Sequence, residues 1–182
     1  DIDGVELLQF GIYRGIELAD WYNFLNIGYK FPAIGASDYP ACRFLGDCRT
    51  YVYSKSKPDF KAWLEGCRKG ASFVTTGPLL HLDVDGQKPG AVIDKTGKGP
   101  HQVRLRLDIH SEVADVDTVQ IICNGQVIVE QHISLKRALV KGNTPNLATI
   151  AHDVLIEEPS WIAARAFSKT SAGNHDSEAH TN

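Results

Sequence analysis

The sequence predicts an α+β protein in which residues 1–78 form part of an α/β layer and residues 79–182 form an antiparallel β-sandwich. Two observations lead to this division. In the first part, short apolar runs alternate with segments that have helical spacing. In the second part, short runs of alternating character are separated by turn residues, without a helical pattern. The boundary is expected near Thr76-Gly77-Pro78, where turn-forming residues separate the two patterns.

Three strands and two helices are predicted in residues 1–78. Leu18, Trp21, Tyr22 and Leu25 fall at positions i, i+3, i+4 and i+7, which indicates one apolar helix face, and Gly28 ends this helix. The order of strand, helix, strand, strand and helix is typical of an α/β layer with partly parallel strands. The strands are expected at residues 5–10, 31–36 and 50–53, and the second helix from about Pro58 to Gly70.

Six short strands are predicted in residues 79–182. The clearest runs from Val103 to Ile109, where apolar and polar residues alternate strictly. Asn124-Gly125 is the strongest hairpin signal, and Asp85-Gly86 is a second turn signal. A polar tail is expected from Ser168 onward. The strands are predicted at residues 79–84, 103–109, 118–123, 126–129, 149–156 and 161–167.

The charge balance argues against a nucleic-acid-binding role. The chain has 182 residues and a net charge of −3, with nine basic and nine acidic side chains in residues 1–78 and ten and thirteen in residues 79–182. Neither part has the basic excess that binding to a phosphate backbone requires. No apolar run reaches the roughly 18 residues that would span a bilayer, so no membrane partner is predicted.

The start of the chain gives no information on its compartment. The first residue is Asp1, the sequence contains no Met, and no signal peptide is recognisable. We therefore expect a processed product or a fragment of a longer protein, and the localisation is left unknown.

The four cysteines do not predict a zinc site. Cys42, Cys48, Cys67 and Cys123 form no C-x-x-C pair. Cys67 and Cys123 lie in apolar patterns and are expected in the core. Cys42 and Cys48 flank one loop, where they either form a disulfide or stay reduced, and the absence of any other disulfide framework favours the second outcome.

Asp38 is the best-placed candidate for chemistry. It lies in the stretch G-A-S-D-Y-P-A-C-R, directly after a predicted strand that follows a helix. In parallel α/β structures, functional groups gather at the carboxyl ends of strands, and a carboxylate there can bind a divalent cation. Alternatively, Asp38 belongs to a turn in which its carboxylate accepts hydrogen bonds from local amides. The pattern alone favours the turn.

Two further groups of residues could contribute to a site. Arg43 and Arg49 follow Asp38 in the same loop, where their guanidinium groups could bind an anionic substrate. The alternative is a solvated loop or a local ion pair with Asp47, and the residues alone favour this alternative somewhat. The tail holds a cluster that could bind zinc, although a solvated tail is the simpler interpretation. Its members are His175, Asp176, Glu178 and His180.

Several longer segments together resemble one family. In their order and spacing, they are similar to the C-terminal part of the CehA/McbA-type metallohydrolases, which belong to the PHP (polymerase and histidinol phosphatase) superfamily. The resemblance extends from about Val5 to Asn182. The segments are W-Y-N-F-L-N-I-G-Y-K-F-P-A-I-G-A-S-D-Y-P, L-G-D-C-R-T-Y-V, G-A-S-F-V-T-T-G-P-L-L-H-L-D-V-D-G, S-W-I-A-A-R-A and A-H-T-N.

The resemblance implies both a fold and an activity. Residues 1–78 would be the C-terminal part of a PHP-type α/β barrel, and residues 79–182 an appended, Ig-like β-sandwich. The family's divalent metal ions, zinc, manganese or iron, activate water for hydrolysis, often of phosphoesters. Ser37 and Asp38 match the family's late metal-binding motif, in which Asp is a ligand. Tyr39-Pro40-Ala41 stands where the family commonly has a second ligand, His.

The family's early H-x-H motif and its middle ligands correspond to nothing in this chain. We therefore expect a C-terminal fragment of a metal-dependent hydrolase that is inactive alone and possesses an incomplete metal site. Its expected partner is the upstream part of the same protein or a second copy. Arg43 and Arg49 would lie in a loop near the substrate, and His180 near the barrel mouth. Relatives are often exported, which makes the periplasm the alternative location.

A second hypothesis belongs to a different class of function. The β-sandwich would be a non-catalytic module that binds a partner or a carbohydrate, with the α/β segment as its scaffold. A flat row of surface aromatic side chains would favour this hypothesis.

Overall fold

The computed structural model describes residues 3–9, 16–41, 43–54, 57, 59–136, 147–169 and 177–182. Within these residues it contains two helices and eleven strands. The helices are α1 (Ile16–Asn26) and α2 (Phe60–Arg68). The strands are β1 (Val5–Gln9), β2 (Ala33–Ala36), β3 (Arg49–Val52), β4 (Ser72–Thr75), β5 (Leu79–Val84), β6 (His101–His110), β7 (Val116–Cys123), β8 (Gln126–Leu135), β9 (Leu147–Ile156), β10 (Ile162–Phe167) and β11 (Ala179–Thr181).

Nine of these strands form two antiparallel sheets that share one hydrophobic core. The larger sheet has the order β3-β4-β11-β10-β7-β8, and the smaller has the order β5-β6-β9. The predicted antiparallel, β-rich architecture is therefore confirmed, and it is consistent with a β-sandwich. The core lies between the two sheets and includes Phe73, Leu80, Leu82, Leu105, Leu107, Val119, Ile121, Ala164 and Ala179.

Strand β6 shows how the sequence pattern produces the sandwich. Its apolar residues Val103, Leu105, Leu107 and Ile109 are all buried, whereas the intervening Arg104 is exposed. Burial of each large aliphatic side chain contributes about 1.5–3 kcal/mol, which fixes the face that the strand presents to the core. The predicted alternation is confirmed over the whole strand.

Both predicted turns adopt the expected backbone geometry. Asn124 and Gly125, between β7 and β8, have φ values of 49° and 81°. Asp85 and Gly86, after β5, have φ values of 49° and 82°. Two successive residues with positive φ define the tight turns that match the twist of antiparallel strands, and Asn-Gly and Asp-Gly pairs tolerate this conformation best.

The predicted strand–helix–strand unit at the start of the chain is also observed. Strands β1 and β2 are parallel, and α1 connects them. Trp21 on α1 packs with Leu7 and Leu8 of β1 and with Ala33 of β2 in a second apolar cluster. This cluster buries the helix face that the spacing of apolar residues predicted.

The third predicted strand, β3, does not continue the parallel layer that β1 and β2 form. Strand β3 pairs antiparallel with β4 in the larger sheet. It approaches β2 closely, since a Cβ atom on Gly35 would lie 2.8 Å from the carbonyl oxygen of Arg49. The Thr50 hydroxyl joins the two strands instead of a backbone ladder, accepting from Gly35 N at 2.9 Å and donating to Gly35 O at 3.2 Å.

Two strands were not predicted, and they complete the larger sheet. All four residues of β4 are buried, so the strand shows no alternation. Strand β11 has three residues and lies between β4 and β10, within the segment expected to be a polar tail. The sheet thus contains strands from both sides of residue 78, and the division into residues 1–78 and 79–182 stays a prediction.

Helix α2 has a side-chain cap at its start and, as predicted, a glycine after its end. The Asp59 carboxylate caps its N-terminus by accepting from Ala62 N at 2.8 Å. Gly70, with a φ of 66°, follows the last turn and allows the chain to leave it. Pro58 lies outside the described residues. Neither helix in the described part of the chain is long and apolar enough to cross a membrane.

Candidate functional site

The loop that follows β2 is held in place by one buried hydroxyl group. Ser37 is 8% exposed, and its Oγ accepts from Gly46 N at 3.1 Å and from Cys48 N at 3.2 Å. The same hydroxyl lies 3.4 Å from Cys48 O, to which it donates. Ser37 therefore closes residues 37–48 into a compact loop against the carboxyl end of β2.

Asp38 lies directly beyond this anchor. It is exposed and has a φ of 50°, a left-handed conformation that Asp adopts more readily than most residues. Its side chain therefore starts at the carboxyl end of a strand that runs parallel to β1. Both interpretations of Asp38 from the sequence, the turn residue and the ligand, are compatible with this geometry.

Arg43 lies in the same loop and forms an ion pair within it. Its Nη1 is 3.6 Å from the Asp47 carboxylate, and both side chains are between one fifth and one third exposed. The local pair with Asp47 that the sequence left open is therefore present. A partly exposed ion pair of this kind contributes little stability.

Arg49 connects this loop to the larger sheet. One of its terminal nitrogens donates to the Thr76 carbonyl oxygen at 3.0 Å. Its guanidinium carbon lies 5.9 Å from the centre of the Tyr51 ring. Its Nε is buried and has no hydrogen-bond partner among the described residues. Such a donor would gain from an acceptor brought by a ligand.

Thr76 extends the connection to the C-terminal segment. Its backbone N–H donates to Glu178 O at 2.8 Å, and its hydroxyl accepts from Glu178 N at 3.1 Å. Residues that are about a hundred positions apart thus meet beside the loop that carries Asp38. Glu178 is half-buried there, whereas His175 and Asp176 of the predicted tail cluster lie outside the described residues.

His180, two residues after Glu178, lies in an aromatic cluster with Trp21 and Tyr22. It is 3% exposed, and its ring makes an edge contact with Trp21 at 5.3 Å between centroids. Its Nδ1 lies 2.6 Å from Thr181 O, so Nδ1 donates, and Nε2 accepts from the Tyr22 hydroxyl at 2.6 Å. Both ring nitrogens are therefore engaged.

The surroundings of His180 favour its neutral form. Burial lowers the pKa of His180 to about 4, and the nearby positive charge of Arg165 acts in the same direction. Burial also raises the pKa of Tyr22 to about 12. At neutral pH the pair is thus an uncharged hydrogen bond between α1 and β11.

Asn182 joins the C-terminal segment to β2. Its Oδ1 accepts from Ala33 N at 2.5 Å, and its Nδ2 donates to Ala33 O at 3.2 Å and to Ser72 Oγ at 2.8 Å. The C-terminal segment therefore holds the first residue of the strand whose last residues lead to Asp38. No local sequence pattern predicts this contact, because its partners Ala33 and Ser72 lie 149 and 110 positions from Asn182.

A small cleft lies at the opposite end of β2 from Asp38. It has a volume of about 230 Å³ and lies between α2 and the beginnings of β1 and β2. Burial raises the pKa of the Cys67 thiol, so this side chain is not an activated nucleophile. The sequence did not predict the cleft, which is lined by Asp3, Gly4, Glu6, Ile34, Trp63, Leu64, Cys67 and Arg68.

The described residues do not assemble a metal centre by themselves. Within the described ranges, no group of three or more His, Cys, Asp or Glu side chains is arranged to hold one ion. Asp38 belongs to the β2 end and His180 to the aromatic cluster, where both of its nitrogens are already bonded. A catalytic metal ion usually has three protein ligands, so Asp38 would need further ligands from elsewhere.

Comparison with known proteins identifies no relative. No family model matches the sequence, no curated protein matches it, and no solved structure matches the fold.

Proposed function

We propose that this chain is the C-terminal part of a metal-dependent hydrolase of the PHP superfamily, in which Asp38 is a ligand of a divalent metal ion. The observation that carries the proposal is the position of Asp38 at the carboxyl end of β2, a strand parallel to β1. In parallel α/β folds, this end of the strands carries the chemistry. The sequence segments around Asp38 add the resemblance to the family.

The parallel strands β1 and β2 would have a different role from the two antiparallel sheets. Strand β1, helix α1 and strand β2 would be the last part of a PHP-type barrel, and the antiparallel sheets would be its appended, Ig-like sandwich. Helix α1 packs on the sandwich, since Tyr22 lies 4.9 Å from Trp161 between ring centroids. The indole N–H of Trp161 also donates to Asn26 Oδ1 at 2.7 Å.

The described residues do not form a complete metal site by themselves, so activity is proposed only for a longer protein. A carboxylate such as Asp38 is a ligand that zinc, manganese and iron all accept. Its remaining ligands would come from the upstream part of the same protein. When bound, such an ion supplies activated water for hydrolysis.

The arginines favour an anionic substrate such as a phosphoester. Arg43 pairs with Asp47 in the loop that carries Asp38, and Arg49 has a buried N–H without an acceptor among the described residues. Guanidinium groups bind phosphate oxygens through two parallel hydrogen bonds. Both side chains belong to the region between β2 and β3, on the side of Asp38.

The test compares Asp38→Asn with the control Asp20→Asn in the intact protein. Asp20 is an exposed carboxylate on α1, so its loss changes the net charge equally. Metal content is measured by mass spectrometry and hydrolysis with a phosphodiester reporter. We expect Asp38→Asn to lower both the metal content and turnover by at least about tenfold, in line with the loss of one ligand, and Asp20→Asn to change neither. Unchanged metal content in Asp38→Asn would refute the assignment.

The alternative is a non-catalytic binding module, which a flat row of exposed aromatic side chains on the sandwich would support. Three aromatic rings meet where α1 leads into β2: Phe24 lies 5.5 Å from Phe31, and Tyr29 stacks on Phe31 at 5.4 Å. Tyr29 is 55% exposed. These rings belong to the first part of the chain and do not form a row on the sandwich. Loss of carbohydrate binding in Tyr29→Ala, with normal metal content in Asp38→Asn, would favour this alternative.

A further inference from the structure

Strand β9 is a long and regular edge of the smaller sheet. Its ten residues pair with β6 in an unbroken antiparallel register, from Leu147↔His110 to Ile156↔His101. No other strand of the described residues pairs with its second edge. The backbone N–H and C=O groups on that edge can therefore accept another strand.

The other edges of the two sheets are shorter or interrupted. Strand β3 has four residues and β5 has six. Strand β8 is as long as β9, but its register shifts twice along β7. Proteins block edge pairing with such short strands and bulges, and also with Pro and Lys residues. The sequence L-A-T-I-A-H-D-V-L-I of β9 contains neither Pro nor Lys, and Asp153 is its single Asp, Glu, Lys or Arg residue.

The exposed side chains of β9 are arranged symmetrically about Ala151. Leu147 and Leu155 lie four residues on either side of it, on the solvent face, and are 60% and 57% exposed. Thr149 and Asp153 lie two residues on either side. A residue pattern with this symmetry can face itself across a two-fold axis at Ala151.

We propose that β9 pairs antiparallel with β9 of a second copy, around a two-fold axis at Ala151, to form one continuous six-stranded sheet. In this register, Leu147 faces Leu155 of the second copy, Thr149 faces Asp153, and Ala151 faces itself. Because the axis relates the two copies, each of the first two pairs occurs twice. On the other face, Ile150 faces His152.

The charges on this face are compatible with the register. Asp153 is the sole acidic residue of β9, and it already accepts from Gln102 Nε2 at 3.1 Å and Arg104 Nε at 3.4 Å, both on β6. Its carboxylate is therefore drawn away from the free edge. The facing residue is Thr149, so no two like charges lie directly opposite each other. The small, neutral Ala151 suits the axis, where any charged residue would meet its own copy.

The first test introduces charge on the axis and uses sedimentation equilibrium of the full chain. Wild type is expected to form dimers. Ala151→Glu and Ala151→Lys should each dissociate about tenfold more readily, because like charges then face each other. An equimolar mixture of the two variants should recover the affinity, since opposite charges meet. The matched controls are Gln131→Glu and Gln131→Lys on the exposed edge of β8, which should leave the affinity unchanged.

The second test measures the register by cysteine cross-linking under mild oxidation. Ala151→Cys should form a disulfide-linked dimer, whereas Leu147→Cys alone should not, because its expected neighbour is Leu155. A mixture of Leu147→Cys and Leu155→Cys should cross-link. Thermal unfolding of each variant verifies that the monomer is folded. A wild type that stays monomeric at its highest soluble concentration, or cross-links that ignore this register, would overturn the proposal.

Discussion

The Tyr22 hydroxyl and Nε2 of His180 lie 2.6 Å apart, although 158 positions separate them in the sequence. This hydrogen bond joins α1 of the parallel β1–α1–β2 unit to β11 in the middle of the larger sheet. Asn182, two residues beyond His180, contacts the beginning of β2. The last described residues thus connect the parallel unit to the sandwich, beside the strand that leads to Asp38.

Removal of the Tyr22 hydroxyl should destabilise this connection. In Tyr22→Phe, Nε2 of the buried His180 loses its donor, and the ring packing with Trp161 is kept. A buried acceptor left without a partner costs about 1–3 kcal/mol. Urea unfolding followed by tryptophan fluorescence measures the change. Tyr29→Phe, at an exposed position, is the matched control and should stay within about 0.5 kcal/mol of wild type.

Protonation of His180 should make the fold sensitive to acid. The pKa of His180 is about 4 in the folded chain, below the ordinary value of about 6.5 for a histidine, so the unfolded chain binds the proton more readily. Stability from this group is therefore fully present above about pH 6.5 and falls as the pH drops towards 4, by about 3 kcal/mol in total.

The measurement is the free energy of unfolding across this pH range. His180→Gln, which does not titrate, should show a shallower slope than wild type. The matched control for loss of an imidazole is His132→Gln, at an exposed position of β8 outside the proposed dimer interface. Equal slopes for His180→Gln and wild type would show that His180 is not a buried, neutral group in the folded chain.

The Asn182 side chain should contribute to the stability of the fold. Asn182→Ala removes hydrogen bonds to both backbone groups of Ala33 and to the Ser72 hydroxyl. We expect a loss of about 2 kcal/mol, because part of these groups is buried away from water. Hydrogen exchange should also become faster in β2. Asn23→Ala, at an exposed position of α1, tests whether loss of an Asn side chain alone has this effect.

Ser37 should control the order of the loop that carries Asp38. Ser37→Ala leaves Gly46 N and Cys48 N without their acceptor. We expect hydrogen exchange at residues 43–48 to increase about tenfold, which corresponds to the loss of one to two hydrogen bonds. Ser54→Ala, at an exposed position after β3, is the comparison. Equal protection of the loop in both variants would show that Ser37 does not anchor it.

The sequence predicts the elements with local signals and misses those with distant partners. The alternation of Val103 to Ile109 and the Asn124-Gly125 turn are local patterns with a direct physical cause. Strand β4 is buried on both faces and shows no alternation. Strand β11 is short, and its pairing depends on β4 and β10, more than a hundred positions and about a dozen positions away.

The same limit applies to the candidate site. The position of Asp38 after a strand could be read from the local pattern, and so could the Arg43–Asp47 pair. The contacts of Arg49 with Thr76, and of Thr76 with Glu178, depend on the sheet order. Within the described residues, Asp38 belongs to no group of three or more His, Cys, Asp or Glu side chains that could hold a metal ion.

The most direct test of the proposed function is anomalous X-ray diffraction from crystals of the intact protein, recorded at the absorption edges of zinc, manganese and iron. The account predicts a metal peak about 2.0–2.3 Å from a carboxylate oxygen of Asp38. A metal bound at a site that does not include Asp38, or no metal peak after reconstitution with all three ions, would contradict it.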